Sequence, residues 1–449
     1  MPIELIWLLL LVALIIFLIT VPKRPVYEST FIAFVVIYIV SNIVSMKWEK
    51  IGEIITSSFS QTVLYTIFAF MAFTIVMKET RIMDSCVAII TSIFGRFKGG
   101  TAYADVIANV FLGALSGGGP QNVLLIGSVT LPAMQKSRIP NRLSINVSAF
   151  DSLMGNFIPP SPTYAAAFGI YVAYCSAAGL TGLSSAHLWG AMWIIAAIMI
   201  VFRMATIFVS CRMNRVSVVP REELPRFRDA VKSGWKALFL PVIIAFPFVL
   251  DMVFEPFIVE RIGETAASQL TNGILLFLPG LTAILAFLFG IRRPKMTDLA
   301  RSFAEGANGI VMIVAMVLMS VMIGNLISVD EIGRFLGELQ LPFVLIALII
   351  PLLTTLLSMI ISSVAVTIFF GNMILSVMVA VGADPLIVTA MLPLICGGLS
   401  GTIPPSSPCL FVGANILKCG MHGVNSIAVR WTLEQLLFIE ALFIIACLL

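Results

Sequence analysis

The sequence predicts an all-α membrane protein of two inverted-topology repeats, each holding a re-entrant hairpin and a helix broken at an Ile-Pro-Pro motif. Three observations predict it. Of 449 residues, 59% are hydrophobic and only 11% charged, too little charge to cover a water-exposed surface. Apolar runs long enough to cross a hydrocarbon core recur throughout, most clearly at 3–21, 27–46, 188–211, 270–290 and 424–448. The chain also matches itself at a shift of 245 residues.

At that shift Ile158-Pro159-Pro160-Ser161 falls on Ile403-Pro404-Pro405-Ser406, and Ile139-Pro140 falls on Asp384-Pro385. The hairpin tip Ser116-Gly117-Gly118-Gly119 falls on Ile361-Ser362-Ser363-Val364 without a gap. Phe59 and the apolar run behind it match Phe303 at a shift of 244. The chain divides accordingly. Residues 1–56 are N-terminal scaffold helices, and 57–211 form repeat one, with hairpin 101–137 and broken helix 142–178. Residues 212–301 are a cytoplasmic linker and two connecting helices; 302–449 form repeat two, with hairpin 341–381 and broken helix 386–418. This makes about ten full spans and two hairpins. The run 2–21 lacks a basic leader and a small-residue cleavage site, and is read as a retained helix.

Lys and Arg concentrate on the cytoplasmic side of a membrane protein, which orients the spans. Loop 212–236 carries Arg212, Arg215, Arg221, Arg226, Arg228, Lys232 and Lys236, and loop 291–301 carries Arg292, Arg293, Lys295 and Arg301. Both are placed inside. The loop 254–269, with Glu255, Glu260 and Glu264 against Arg261, is placed outside. Lys23-Arg24 then lies inside and both termini outside. Treating 79–98 as an interfacial helix keeps Arg96 and Lys98 inside. The first hairpin then enters from the cytoplasm, with Lys136, Arg138 and Arg142 at its base. The second enters from outside, flanked by Asp330, Glu331, Glu338 and Asp384 against Arg334.

Proline removes an amide donor and clashes with the preceding turn, so no helix continues through 158–160 or 403–405. Such interruptions are tolerated at bilayer depth where they face protein, water or a ligand. With Gly and Ser clusters at 116–119 and 361–363, four half-helix ends converge. Carbonyls at C-terminal ends suit a cation and amides at N-terminal ends suit a carboxylate. Ser116, Gln121 and Asn122 flank the first tip, and Asn156, Ser161 and Thr163 the first break. Ser362, Ser363 and Thr367 mark the second tip; Ser400, Thr402, Ser406 and Ser407 mark the second break. Hydroxyl and amide oxygens without a tip carboxylate favour a weakly held monovalent cation. A hydroxyl bonded to its own helix is the competing reading for each Ser and Thr.

Ionisable residues inside apolar runs are functional candidates. Asp105 and Asn109 stand four apart on the first hairpin arm, and Asp151 lies about two turns before Pro159. Either carboxylate suits a proton or ion ligand, and a structural hydrogen-bonded role fits equally. Arg203 is expected to snorkel to the inner interface. Arg430 and Glu434 are expected to pair with each other, and Glu440 has no assignment. The seven Cys form no CxxC pair and read as small buried hydrophobes; His187 and His422 are too scattered for a metal centre.

The stretches Leu115–Asn122, Gly127–Met134 and Gly155–Pro160, with the second signature Gly398–Ser406 followed by Gly413, resemble the large membrane subunit of TRAP transporters. The resemblance covers nearly the whole chain. It implies a sodium-driven importer of a small organic acid working by an elevator motion in the bacterial inner membrane. It implies as partners a small TRAP membrane subunit and an extracytoplasmic substrate-binding protein, with Na+ as coupling ion, no other cofactor and no nucleic acid. Carried over by position, one sodium site uses Gly113 and Ser116 with the carbonyls of Gly155, Ile158 and Pro160. The other uses Ser362 and Ser363 with Ser400, Ile403 and Ser406. Gln121, Asn122, Asn156, Ser161, Thr163, Thr367, Thr402 and Ser407 are left to face the substrate. Two positions depart from the family pattern: glycines follow Ser116 where serines are usual, and Ile403 stands where Thr often precedes Pro-Pro. A stand-alone organic-anion symporter of a related inverted-repeat class, proton-coupled through Asp105 or Asp151, is the second reading. An enzyme would need a catalytic cluster, and the sequence offers none.

Overall fold

The computed structural model describes residues 3–22, 24, 26–45, 51–60, 79–95, 97–113, 119–159, 161–178, 185–216, 226–239, 283–327, 342–358, 363–402 and 407–448, with short stretches between 65 and 77 and between 253 and 281. Every regular element among them is a helix.

Helices α1 (Ile3–Thr20) and α2 (Val26–Ser45) pack together, and α3 (Ile51–Phe59) follows. The segment read as interfacial contains α4 (Ile82–Phe94). The first hairpin begins with α5 (Gly100–Ala108), which loosens into a π-helical turn at Asn109–Gly113. Its return arm is α6 (Gly119–Leu125) and α7 (Gly127–Lys136). The hydroxyls of Thr101 and Ser137 meet at 2.9 Å and join the outer ends of the two arms.

The broken helix follows as α8 (Asn141–Ser152), the short α9 (Met154–Phe157) and, after the Pro-Pro interruption, α10 (Pro162–Ala178). The long α11 (Ser185–Met213) closes this half. The linker contributes α12 (Phe227–Gly234), which packs on α4. The second half follows. It runs α13 (Met296–Leu326), the hairpin arms α14 (Phe343–Ser358) and α15 (Ser363–Ala380), and α16 (Pro385–Gly397), then α17 (Pro408–Ile416) and α18 (Val424–Leu448). His187–Met213 and Val424–Leu448 are long and apolar enough to cross a membrane.

Local chemistry explains the boundaries. Proline occupies the first turn of α10, α16 and α17, where a missing amide costs nothing. Asp384 caps α16, its Oδ1 accepting from the amides of Leu386 (2.7 Å) and Ile387 (3.2 Å).

The halves interlock. The post-break helix α10 packs on α15 and α16 of the second half, while its counterpart α17 packs on α6, α7 and α8 of the first. Likewise α11 packs on α5 and α16, and α18 on α14 and α8. Each broken helix is therefore held between elements of both halves. Among the described residues, α1 packs on α2, and α2 and α3 pack on α13, which packs on α15. Five of the seven Cys are buried, and Cys419 and Cys447 are half-buried.

Replacing Asp384 by Ala leaves two amides of the first α16 turn without their acceptor. A cap of this kind contributes about 1 kcal/mol. The thermal unfolding midpoint of the purified protein is expected to fall in Asp384→Ala and to hold in Asp384→Asn. An unchanged midpoint in the alanine variant would contradict the cap.

Candidate functional site at the two helix breaks

Prolines at 159 and 160 cannot donate to the carbonyls of Gly155 and Asn156, four residues earlier. Prolines at 404 and 405 do the same to Ser400 and Gly401. The structure shows how the first interruption is accommodated. Ile158 turns extended (φ −96°, ψ 127°) at the end of α9. The Ser161 hydroxyl donates to the Asn156 carbonyl at 2.9 Å and accepts the Tyr164 amide at 3.0 Å. One side chain thus replaces a lost helical donor and caps α10. The Ser161 amide donates to the Ile158 carbonyl at 3.2 Å.

The end of the first hairpin arm lies directly against this break. A Cβ on Gly155 would sit 2.3 Å from the Gly113 carbonyl oxygen and 2.5 Å from the Asn122 amide nitrogen, so two backbones meet here with no room for a side chain. Asn122, fully buried, clamps the contact: its Nδ2 donates to the Ser152 carbonyl at 2.9 Å and to the Gly113 carbonyl at 3.4 Å.

The end of α16, ahead of the second Pro-Pro pair, closes on the first break. Asn156 Nδ2 donates across the halves to the Gly397 carbonyl at 3.2 Å. A Cβ on Gly397 would lie 3.1 Å from Asn156 Cβ and 3.2 Å from Ser363 Cβ, which brings the start of the second return arm to the same point. Past Gly397 the chain turns through Leu399–Thr402, with Gly401 at φ +83°, a left-handed conformation natural to glycine. The Gly401 carbonyl accepts the Cys409 amide at 3.2 Å. Cys409 in turn touches the first hairpin, its Sγ 2.8 Å from where a Gly119 Cβ would stand and 3.9 Å from Ser152 Oγ. The Gly398 carbonyl is taken by Gln435 Nε2 of α18 at 2.6 Å. Asn156 Oδ1 and Thr163 Oγ1 are buried polar atoms without a hydrogen-bond partner.

Of the residues singled out by sequence, Gly113, Asn122, Gly155, Asn156 and Ser363 come together here. Ser400 and Thr402 lie in the adjoining turn, and Ser407 opens α17. Several hydroxyls serve their own backbone: Thr367 donates to Ser363 at 2.9 Å and Thr402 to Leu399 at 3.0 Å. Ser116, Pro160, Ser362, Ile403 and Ser406 lie outside the described residues, and of Gln121 only its place in α6 is described.

A second polar cluster lies beside the break. Asp105 Oδ2 accepts from Asn109 Nδ2 at 3.1 Å, the i,i+4 pair read from sequence, and its Oδ1 lies within hydrogen-bond distance of the Thr130 hydroxyl of α7. Asp151 forms an ion pair with Arg203, Nη2 at 2.8 Å and Nε at 2.9 Å from the same Oδ1. This corrects the expectation that Arg203 snorkels. It is 1% exposed, between Phe150 and Trp431 at 5.4 and 4.8 Å from their ring centres. The carboxylate of α8 faces it directly and draws it inward. Arg430 and Glu434 pair on the exposed face of α18 at 2.7 Å, as expected, and Glu440 is buried. Asn122, Gln435 and Cys409 as contact points, and Arg203 as the partner of Asp151, are what sequence reading missed; their spacings carry no periodic signal.

Replacing Gly155 by Ala drives a methyl group into the Gly113 carbonyl. Overpacking of this kind costs about 1–3 kcal/mol. Gly420, where an added methyl group would meet nothing within 4 Å, is the control. Gly155→Ala is expected to lower the unfolding midpoint clearly and Gly420→Ala to leave it unchanged; equal midpoints would refute the close approach.

Comparison with known proteins agrees with this architecture. The family model described as "Tripartite ATP-independent periplasmic transporter, DctM component" matches residues 4–447. The C4-dicarboxylate TRAP transporter large permease protein DctM of Rhodobacter capsulatus is 24% identical over 372 residues, covering 78% of this chain and 77% of its own. The isethionate TRAP transporter permease protein DctMQ of Oleidesulfovibrio alaskensis is 21% identical over 388 residues, 85% of this chain and 57% of its own. Among solved structures, the YdaH transporter of Alcanivorax borkumensis superposes with a TM-score of 0.61 at 15% identity, over 88% of this chain and 86% of its own. MtrF of Neisseria gonorrhoeae gives 0.62 at 15%, over 88% and 83%. At that identity these two speak for the fold alone. The match over nearly its whole length makes this chain a member of the DctM family, the large membrane permease component of tripartite ATP-independent periplasmic transporters.

Proposed function

We propose that the protein imports a small organic acid, driven by sodium, as the large permease subunit of a TRAP-type transporter in the inner membrane. The observation that carries this reading is the meeting of the first hairpin arm, the first break, the end of α16 and the second return arm around Gly113, Gly155, Asn156, Ser363 and Gly397. The Pro-Pro pairs free the carbonyls of Gly155 and Ser400 from their helical donors. Each carbonyl presents a partial negative charge suited to Na+. The N-terminal ends of α10 and α17 offer partial positive charge to a carboxylate. Two sodium ions beside the bound acid offset its charge, so acid and cations cross as one low-charge load. The named relatives, transporters of C4-dicarboxylates and of isethionate, are consistent with a small organic anion.

In this reading the two halves lie in opposite orientations, as the loop charges indicate. The interlocked hairpins and broken helices then move as one body against α1, α2, α3 and α13. The packing of α2 and α3 on α13 supports that division, with the contact of α13 on α15 as the seam between the two bodies. A small membrane subunit and an extracytoplasmic binding protein complete the assembly, in keeping with the tripartite family.

Uptake into liposomes, with the partner subunits present, tests the reading. Uptake is expected to follow an inward sodium gradient. Pro404→Ala and Ser362→Ala should uncouple uptake from sodium far more than Arg334→Ala. Equal loss in all three, or uptake indifferent to sodium, would contradict it.

A further inference from the structure

The cluster of Asp105, Asp151 and Arg203 does not balance its charge. All three side chains are 0–1% exposed, and they bring two carboxylates against one guanidinium. Arg203 is committed to Asp151 by two contacts on one oxygen and is enclosed by Phe150 and Trp431. Asp105 is left with neutral partners: the Asn109 amide and the Thr130 hydroxyl. The charged groups acting on it are Asp151 from α8 and Arg203 from α11; α7 contributes only Thr130, and α4 buries Cys86, Val87 and Ile90. A carboxylate buried without a counter-charge is strongly unfavourable, so one positive charge must reside in this cluster.

The hydrogen bonds identify what it is. Both oxygens of Asp105 are already in contact with side chains of the hairpin, Oδ2 with the Asn109 amide and Oδ1 with the Thr130 hydroxyl. Thr130 lies within hydrogen-bond distance of both Asp105 Oδ1 and the Ile126 carbonyl (3.1 Å), yet its hydroxyl has a single hydrogen. With a proton on Asp105 each of these contacts has one donor and one acceptor: the carboxyl donates to Thr130, Thr130 donates to Ile126, and Asn109 donates to the other carboxyl oxygen. We infer that Asp105 is a proton-binding site, at which one proton taken from water joins the two arms of the first hairpin through Thr130. Loss of that proton at high pH charges the interior of the hairpin and loosens it from α8. The inference rests on the transport reading only for its consequence for uptake.

Infrared spectroscopy of the purified protein near neutral pH tests it without any transport assay. The wild type is expected to show the carbonyl band of a neutral buried carboxylic acid. The band should vanish in Asp105→Asn and persist in Glu440→Gln, the control for a buried acid outside the cluster. It should also vanish in Asp151→Asn, where Arg203 is free to neutralise Asp105. A wild type without the band, or a band that survives Asp105→Asn, would overturn the proposal. Where Asp105→Asn does not fold, the wild type and Asp151→Asn spectra decide by the same criteria. A fold that holds one extra proton loses stability as pH rises, by about tenfold in its folding equilibrium per pH unit. Wild-type stability is therefore expected to fall with rising pH and Asp105→Asn to lack that slope; identical slopes would also overturn it. At a fixed sodium gradient, uptake should decline with rising pH in the wild type and stay level in Asp105→Asn. Failure of uptake alone, with the band present, would count against the transport reading and leave the proton in place.

Discussion

Everything in this structure is arranged around carbonyl groups that have lost their helical donors. Two adjacent prolines remove the partners of Gly155 and Asn156, and two more remove those of Ser400 and Gly401. In water such groups would simply be hydrated; inside a membrane protein each needs a partner from protein or ligand. The Asn156 carbonyl is satisfied by Ser161, which also caps the resumed helix. The Gly155 segment is pressed against Gly113, where the absence of side chains lets two irregular stretches of backbone lie in contact. Asn122 then fixes their register through two further carbonyls.

Interlocking of the halves follows from the same constraint. A broken helix cannot hold its own ends in line, so each is braced by elements of the other half. Helix α10 leans on α15 and α16, and α17 on α6, α7 and α8. Asn156 and Cys409 carry this bracing into the break regions themselves, one bonding to Gly397 and the other filling the space between Gly119, Ser152 and Gly401. Packing between helices in a bilayer relies on close approach and interhelical hydrogen bonds more than on burial from water. Glycines at 113, 119, 155 and 397 supply the first, and Asn122, Asn156 and Gln435 the second.

What could be read from the chain was whatever repeats or punctuates. The first Ile-Pro-Pro and the Pro140 and Pro385 helix starts are local signals, and helices end or begin where those signals stand. The Asp105–Asn109 and Arg430–Glu434 pairs were legible because i,i+4 neighbours share a helix face. The Asp151–Arg203 pair was not. Its partners are 52 residues apart on different helices, and a lone Arg near a helix end reads equally as a snorkelling side chain. Nor does sequence tell which hydroxyls are free: Thr367 and Thr402 turn back on their own helices, while Thr163 is buried without a partner. Asn122 looked like one more polar residue near a tip, and only the fold reveals it as the clamp between hairpin and break.

The account stands on the idea that a cation completes the backbone left open at both breaks. Hydrogen–deuterium exchange across 153–161 and 397–402, measured with and without sodium at constant ionic strength, tests this most directly. Sodium is expected to slow exchange at both segments together, and choline to have no effect. Exchange at both breaks that is the same in sodium and in choline would contradict the account.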